Sequence, residues 1–346
     1  MRRPVPLCGF ALPLQALPAC LLAAILLPAC LALTDPPVAA GSDALGNRQL
    51  RRTRVNVVAS DTMLFGVNQT DVRAALKVWF ETVARKRGFQ LDCRVDIVDS
   101  AAELKNRLQE HSVDVVIPGI AEYLDLESSH LMVPILTLAL NPVGGAAYSY
   151  VLLVNPSGSV TTLAGLRGKE ILVSSRSGSN TAFAWTEVLL NREKLGRARS
   201  FFGSVRSVPK AQSCILPLFF GTVDACVVDE VNLNLAKEMN PQLGRLKVLV
   251  RSRPLVESVI ATPLEPHPYQ AELVDAILSL HEDVRHRQLL MVFKTERILR
   301  LQAGDLDPVR DLWKEFHHLP GAAPARVPSA IPIADQGLPD RGQGRN

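Results

Sequence analysis

Apolar residues along this chain alternate between short continuous runs and longer amphipathic segments. Residues 55–59 form the first apolar run and predict a strand, and residues 72–87 carry apolar side chains at helical spacing. A strand at 91–98, a helix at 101–109 and a strand at 113–117 continue the pattern. Strands that alternate with helices in this way are typical of a parallel α/β sheet.

The same alternation returns in the middle of the chain. Residues 148–154 and 171–173 predict strands, and an amphipathic helix follows the second of them. A strand is expected at 200–202, with a polar loop after it at 203–207. The run at 223–229 predicts a buried strand that ends on an acidic residue, Asp229. We therefore expect a second α/β lobe that is built like the first.

Two breaks rich in proline, glycine or polar residues separate these sets and indicate a hinged pair of lobes. The C-terminal segment is rich in proline, glycine, alanine and arginine, a composition typical of disorder. The predicted organisation is residues 1–40 as signal peptide and linker, 53–140 plus 257–318 as a discontinuous first lobe, 147–252 as a second lobe, and 320–346 as a disordered tail.

The N-terminal segment has the pattern of an export signal. Arg2 and Arg3 precede a strongly apolar stretch at residues 14–33. Two processing sites fit. Residues 27–30 resemble a bacterial lipobox, which would leave Cys30 lipidated, whereas residues 38–40 fit a small-residue signal peptidase site. Either route predicts a periplasmic protein, and the first would anchor it to a membrane.

Charge and cysteine content narrow the function classes. The formal net charge of +4 is too weak, and the aromatic residues too few, to indicate a nucleic-acid partner. No cysteine or histidine spacing indicates zinc, and no motif indicates a cofactor, so none is expected. Cys93, Cys214 and Cys226 follow the signal segment. A disulfide between Cys214 and Cys226 and a set of three buried thiols are both compatible with the sequence.

The candidate binding residues lie where predicted strands end, because open parallel sheets bind ligands beyond the carboxyl ends of their strands. A loop of small hydroxyl and glycine residues precedes the helix of the second lobe. Unpaired N–H groups at a helix start favour a small anion there, although an ordinary helix N-cap explains the same residues. The predicted ligand-binding residues are Ser60, Tyr123, Ser177, Gly178, Ser179, Asn180, Thr181, Ser204 and Asp229.

Four stretches together resemble a known family. Residues 113–123, 163–169, 174–181 and 221–229 look like the periplasmic substrate-binding proteins of phosphate/phosphite/phosphonate-type ABC transporters, over about residues 53–316. The resemblance implies a type-II periplasmic binding fold, with two Rossmann-like lobes, a two-strand hinge and a ligand held between the lobes. It also implies a monomeric, non-enzymatic receptor that delivers a small anion to an inner-membrane permease.

The resemblance also suggests roles for individual residues. The loop at 177–181 would bind a phosphonate-like group through hydroxyls and backbone N–H groups, and Tyr123 and Asp229 would line the cleft. Where the family often has a histidine, residues 203–207 offer Ser204 instead. Asp229 could also simply cap the next helix, and Tyr123 could simply pack in the core. A carboxylate in the cleft would favour a ligand that also carries a cation or a proton.

Two other functions remain open at this point. An enzyme could be built on the same two-lobed fold, although the chain has no G-x-S-x-G motif with a later histidine and no H-E-x-x-H motif. A sensory protein could report ligand occupancy to a membrane kinase instead of a permease. Turnover of a bound ligand would distinguish the first alternative, and the identity of the membrane partner would distinguish the second.

Overall fold

The computed structural model describes residues 50–63, 68–139, 145–174, 180–282, 290 and 295–320. The predicted signal peptide, both processing sites, the C-terminal tail and the loop residues Ser177, Gly178 and Ser179 lie outside the described residues.

The described chain alternates strands and helices. The strands are β1 (Arg51–Ser60), β2 (Phe89–Val98), β3 (Val115–Ile117), β4 (Met132–Ala139), β5 (Ala147–Tyr148), β6 (Tyr150–Val154), β7 (Glu170–Ser174), β8 (Ser204–Val208), β9 (Ala225–Asp229), β10 (Lys247–Arg251), β11 (Leu255–Val256), β12 (Ile260–Pro263) and β13 (Arg297–Arg300). The helices are α1 (Gln69–Lys86), α2 (Ala101–Gln109), α3 (Ile120–Glu127), α4 (Thr181–Arg192), α5 (Ala198–Phe201), α6 (Gln212–Phe219), α7 (Glu230–Met239), α8 (Gln270–Leu278) and α9 (Asp307–His317).

Two larger sheets define two lobes. Lobe 1 has six strands in the order β13-β4-β12-β3-β1-β2, in which β1 pairs in parallel with β2 and β3. Lobe 2 has five strands in the order β10-β6-β9-β7-β8, in which β7 pairs in parallel with β8 and β9. The strands that enter and leave each lobe pair antiparallel to this parallel centre.

The connection between the lobes is a two-stranded antiparallel ladder. β5 pairs with β11, with Tyr148 opposite Leu255. The chain passes from lobe 1 to lobe 2 through β5 and returns through β11, so both crossings meet in this ladder. The predicted α/β architecture with two lobes and a two-strand hinge is therefore confirmed, whereas the residue bounds given for the two lobes stay a prediction.

The helices cover the sheets with the faces that the sequence periodicity predicts. α1 buries Val72, Leu76, Trp79, Phe80 and Val83 against lobe 1, and Arg87 and Gly88 end it. Gly88 has a φ of 82°, which glycine adopts without steric cost. In lobe 2, a disulfide joins Cys214 of α6 to Cys226 of β9, which is one of the two possibilities that the sequence left open.

The C-terminal helix α9 packs into the largest hydrophobic cluster, which includes residues from both lobes. Val309, Leu312 and Phe316 of α9 are buried in that cluster, together with Tyr123 of lobe 1 and Trp185 of lobe 2. Burial of side chains this large from one amphipathic face is what holds a helix of this length in place. Helix α9 therefore packs against both lobes.

One predicted strand is wrong. Residues 200–202 were expected to be a strand followed by a loop, but residues 198–201 form α5 and the strand β8 begins only at Ser204. β8 is the outermost strand of its sheet, and its sequence, Ser-Val-Arg-Ser-Val, buries none of its residues fully. An edge strand with polar side chains lacks the apolar run on which the prediction depended.

Candidate ligand-binding site

In the chain, α4 begins seven residues after the last residue of β7, and residues 175–179 between them lie outside the described residues. Asn180 is the N-cap residue of α4, but its side chain makes no capping hydrogen bond to the first turn of the helix. The carbonyl of Asn180 accepts the first helical hydrogen bond, from the N–H of Ala184 at 2.8 Å. The amides of Thr181, Ala182 and Phe183 precede that first bond and point toward the helix start, where the helix dipole favours an anion.

Asp229 is the last residue of β9 and also caps the next helix. Its Oδ1 accepts the backbone N–H of Asn232 at 2.9 Å, and its Oδ2 accepts the side-chain amide of Asn232 at 2.7 Å. The capping role considered for this residue is therefore present. Asp229 is buried at the carboxyl edge of the lobe 2 sheet, the edge at which β7 also ends, and its role as a ligand contact stays a prediction.

An aromatic and acidic cluster joins this edge to the hinge. Tyr150 lies opposite Asp229 across the β6–β9 ladder, and its ring stacks on Trp185 of α4 with centroids 6.2 Å apart. Tyr148 of the hinge donates its hydroxyl proton to the Glu257 carboxylate at 2.5 Å. Burial raises the pKa of Tyr150 well above its ordinary value, and the carboxylates of Glu257 and Asp229 raise it further.

Glu257 is the acidic residue that the sequence analysis missed. It follows β11 directly, and only 7% of its surface is exposed. A nearly buried carboxylate is costly unless hydrogen bonds or charges compensate it, so it is a strong functional signal. The signal in the sequence is one acidic residue inside the apolar run 255–260, next to a predicted break.

The facing edge of lobe 1 carries a cluster of hydroxyl and acidic residues. Ser60, the last residue of β1, is hydrogen bonded to the Thr62 hydroxyl at 2.8 Å. Thr62 in turn donates to Glu122 at 3.3 Å, and Glu122 accepts the N–H of Gly119 at 2.9 Å. The predicted residue Ser60 is thus held at the carboxyl edge of its sheet by partners from the loop after β1 and from α3.

Acidic groups dominate this edge. Burial raises the pKa of Asp61, and the nearby Asp99 carboxylate raises it further. Asp61 follows β1 and Asp99 follows β2, so both belong to the carboxyl edge of the lobe 1 sheet. Together with Glu122, they make this edge of lobe 1 rich in carboxyl groups.

The hinge brings the two edges together. Ser258 forms a backbone bridge with Gly119, and its hydroxyl accepts the N–H of Leu138 at 2.9 Å. Ser252 accepts the N–H of Tyr150 at 2.8 Å. These two serines flank β11. The start of β6 in lobe 2 and the loop after β3 in lobe 1 are therefore both hydrogen bonded to the chain segment 252–258.

Tyr123 is buried beside the C-terminal helix α9. Only 1% of its surface is exposed, and its hydroxyl donates to Glu127 at 2.8 Å. Glu127 also accepts three hydrogen bonds from Arg310 of α9, the shortest at 2.6 Å. Burial and the Glu127 hydrogen bond raise the pKa of Tyr123, so the phenol stays neutral. The hydroxyl is engaged in the α3–α9 contact, and its role as a ligand contact stays a prediction.

Ser204 is not brought to the cleft edge. It is the first residue of β8 and lies opposite Glu170, the first residue of β7. In a parallel pair this is the amino edge of the sheet, and the carboxyl edge is reached only at Ser174 and Val208. With about 3.3 Å per strand residue, Ser204 lies ~13 Å from the edge that the start of α4 follows.

The arrangement can bind an anion and a cation at once. The helix start of α4 supplies N–H donors, while Asp229 and Glu257 supply carboxylates beside two tyrosines. Within the described ranges, no group of three or more histidine, cysteine or acidic residues could hold a metal ion. The helices of the described segments include none that is long and apolar enough to span a bilayer.

Comparison with known proteins identifies the family of this chain. Residues 63–306 match the sequence model of a family described as the phosphonate ABC transporter periplasmic substrate-binding proteins. No curated protein matches the sequence.

Solved structures share the fold at low sequence identity. PhnD1 from Prochlorococcus marinus, in complex with methylphosphonate, is 14% identical with a TM-score of 0.53, and the match covers 78% of this chain and 99% of PhnD1. XAC2383 from Xanthomonas citri, bound to ATP, is 15% identical with a TM-score of 0.57, covering 76% of this chain and 97% of that chain. A binding-protein component of an ABC phosphonate transporter from Pseudomonas aeruginosa is 12% identical with a TM-score of 0.50. The match covers 76% of this chain and 86% of that chain.

Proposed function

The chain belongs to the periplasmic substrate-binding proteins of phosphonate ABC transporters, and we propose that its ligand is a phosphonate that also carries a cationic group, such as an aminoalkylphosphonate. The family is one of solute receptors that serve a membrane permease, so the site binds and releases its ligand without chemical change. The observation that carries the proposal is the pair of buried carboxylates, Asp229 and Glu257, at the edge where the anion-binding helix α4 begins.

The anionic end of the ligand fits the start of α4. The first turn of α4 directs its backbone N–H groups toward the helix start, where the helix dipole favours an anion. Thr181 adds a hydroxyl at the first helical position. The loop residues Ser177, Gly178 and Ser179 precede it in the sequence and stay predicted contacts, because they lie outside the described residues.

The cationic end fits the acidic and aromatic cluster. A protonated amine has three donors and no acceptor, so it needs oxygen atoms around it. The Glu257 and Asp229 carboxylates and the Tyr148 hydroxyl are such atoms. A ligand cation also offsets the cost of two buried carboxylates beside Tyr150, which a purely anionic ligand would increase.

Calorimetric titration with a matched pair of ligands tests the proposal. We expect 2-aminoethylphosphonate to bind at least about tenfold more tightly than ethylphosphonate, since a charged hydrogen bond contributes roughly 1.5–3 kcal/mol. Glu257→Gln should remove most of that preference and leave ethylphosphonate binding nearly unchanged. Asp229→Asn should also reduce the preference for 2-aminoethylphosphonate over ethylphosphonate, because asparagine keeps the helix cap and removes only the charge.

Glu238→Gln is the matched control, because Glu238 is an exposed carboxylate of α7 away from the hinge. It should leave both affinities as in the wild type. Equal affinity of the wild type for the two phosphonates would contradict the cationic part of the proposal and leave the anionic part standing. Binding of neither phosphonate would contradict both parts.

We also propose that the protein is exported as a monomer and that Cys30 becomes its lipidated N-terminus. The apolar stretch at 14–33 and the sequence Leu-Pro-Ala-Cys at 27–30 support this route. Mass spectrometry of the N-terminal peptide after expression in a Gram-negative host distinguishes the routes. A diacylglyceryl group on Cys30 would support lipidation, and an unmodified peptide that begins at Gly41 would contradict it.

A further inference from the structure

The chain enters lobe 1 through a cluster of arginines at the end opposite the ligand site. Arg51 and Arg52 begin β1, and Arg85 and Arg87 lie at the end of α1. The N–H of Arg51 donates to the carbonyl of Gly88 at 3.1 Å, so the start of β1 and the end of α1 form one edge. We call these four exposed residues, Arg51, Arg52, Arg85 and Arg87, the amino-edge patch.

The amino-edge patch gathers arginines that lack a carboxylate partner within the described part of the chain. Several other arginines do pair with carboxylates, as Arg54 does with Asp92, Arg192 with Glu315 and Arg300 with Asp275, at 2.6–2.9 Å. Among the residues that the structure describes, no carboxylate lies within ion-pair distance of the four patch arginines. Several guanidinium groups at one edge repel one another when no anion lies between them.

The contacts that the patch does make keep its charges available. Arg51 stacks its guanidinium over the rings of Phe89 and Tyr269, at 4.5 and 5.5 Å. Arg52 donates to the neutral amide oxygen of Gln90 at 3.2 Å. Neither contact neutralises the guanidinium. Glu272 lines the small crevice beside Arg87 and is the nearest acidic side chain that the crevice provides.

We propose that the amino-edge patch binds the anionic phospholipid surface of a membrane. Guanidinium groups match phosphate oxygens in geometry and charge, and clustered basic residues near a bilayer bind anionic lipids. The occupant is a membrane surface because of where the chain leads. This occupant rests on the lipidation proposed above: residues 31–49 connect the patch to Cys30, and nineteen residues span at most about 65 Å.

This contact would orient the receptor. Ser60 lies nine residues beyond Arg51 along β1, which places the ligand-site edge ~30 Å from the patch. A lobe 1 that rests on lipid through its amino edge therefore holds the cleft away from the bilayer, open to the surrounding compartment. The patch would act while the receptor captures ligand, and it contributes no contact to the ligand itself.

Vesicle flotation of the lipidated protein tests the proposal. Neutral phosphatidylcholine vesicles are compared with vesicles that contain about 30% of the anionic lipid phosphatidylglycerol. The lipid on Cys30 contributes to binding in both kinds of vesicle, so the difference between them measures the patch. We expect binding to anionic vesicles to be at least about tenfold stronger, and the difference to disappear at ~0.5 M salt.

Substitutions then assign the effect to the patch. The variant with Arg51→Gln, Arg52→Gln, Arg85→Gln and Arg87→Gln should lose the lipid difference, and the variant with lysine at the same four positions should keep it. The matched control replaces four exposed cations of lobe 2, Lys194, Arg199, Lys210 and Lys247, with glutamine and should behave as the wild type. Circular dichroism and phosphonate affinity show whether each variant is folded.

Three results would overturn the proposal. The first is equal flotation of the wild type with neutral and anionic vesicles. The second is an unchanged lipid difference in the folded glutamine variant of the patch. The third is an equal loss in the lobe 2 control, which would assign the effect to net charge. None of these results bears on phosphonate binding, which is measured without vesicles.

Discussion

At the residue scale, Gly119 occupies a position with no room for a side chain. A Cβ atom at this position would lie 2.4 Å from the Thr62 hydroxyl oxygen and 3.2 Å from the Glu122 carboxylate. Thr62 cannot move freely, because it is hydrogen bonded to Ser60 and to Glu122. The glycine therefore permits the close packing of the hydroxyl and acidic cluster at the edge of lobe 1.

We predict that Gly119→Ala destabilises the protein by about 1–3 kcal/mol and weakens ligand binding, because overpacking must displace Thr62 and Ser60. Urea unfolding and phosphonate titration measure the two effects. Gly244→Ala is the matched control, since a Cβ atom at Gly244 meets no atom within 4 Å. Adding Thr62→Ala to Gly119→Ala should restore stability in part. A Gly119→Ala variant as stable as Gly244→Ala would contradict the steric argument.

Individual site residues could be predicted only in part from the sequence. Asp229 and the start of α4 could be assigned to a sheet edge because each follows an apolar run, and such runs indicate where strands end. Glu257 and Tyr148 were missed because they are 109 residues apart and meet only through the pairing of β5 with β11. Ser204 was misplaced because β8 is a polar edge strand that begins four residues before the edge in question.

At the element scale, α9 connects the two lobes through charged pairs. Arg310 binds Glu127 of α3 in lobe 1, and Glu315 accepts two hydrogen bonds from Arg192 of α4 in lobe 2, at 2.6 and 2.8 Å. The indole N–H of Trp313 donates to Asp125 at 2.9 Å. Because the helix spans both lobes, any change in their separation must stretch or break some of these contacts.

The Arg310–Glu127 pair predicts an acid-sensitive contribution to stability. Burial raises the pKa of Glu127, but hydrogen bonds from Arg310 and Tyr123 outweigh it and lower the pKa below the ordinary value. A carboxyl group whose pKa is lower in the folded chain stabilises the fold at a pH above its unfolded value, near 4.3. That contribution is lost as the pH falls through the lower, folded value.

We predict that Arg310→Met lowers the free energy of unfolding at pH 7 and that the deficit relative to the wild type shrinks below about pH 4. Urea unfolding at a series of pH values measures the deficit. Arg300→Met is the control, because its partner Asp275 is more than half exposed and solvent screens that pair. A deficit for Arg310→Met that stays constant from pH 7 to pH 3 would show that the pair does not stabilise α9 through its charge.

At the scale of the whole molecule, the sequence predicts the alternation of elements better than their contacts. The two lobes follow from the repeated strand–helix pattern, and the hinge follows from two breaks and a family resemblance. The packing of α9 across both lobes could not be predicted, because amphipathic periodicity shows that a helix has a buried face without identifying the surface that covers it. Long-range pairs such as Arg192 with Glu315 depend on that unknown surface.

We propose that the start of α4 and the loop before it hold the phosphonate group between the two lobes. The most direct measurement is a thermal-shift titration with 2-aminoethylphosphonate, methylphosphonate, phosphate, phosphite and sulfate, on the wild type and on the Ser179→Ala, Thr181→Ala double variant. A ligand at one hundred times its Kd adds about 2.7 kcal/mol to the free energy of unfolding, which gives a clear rise in Tm.

We predict a shift with at least one phosphonate, none with sulfate at the same concentration, and an affinity roughly 1–3 kcal/mol weaker in the double variant, where two hydrogen bonds to a charged group are lost. A wild type that shifts with no phosphorus oxyanion would contradict phosphonate binding. A folded double variant that binds as tightly as the wild type would contradict the placement of the anion at α4.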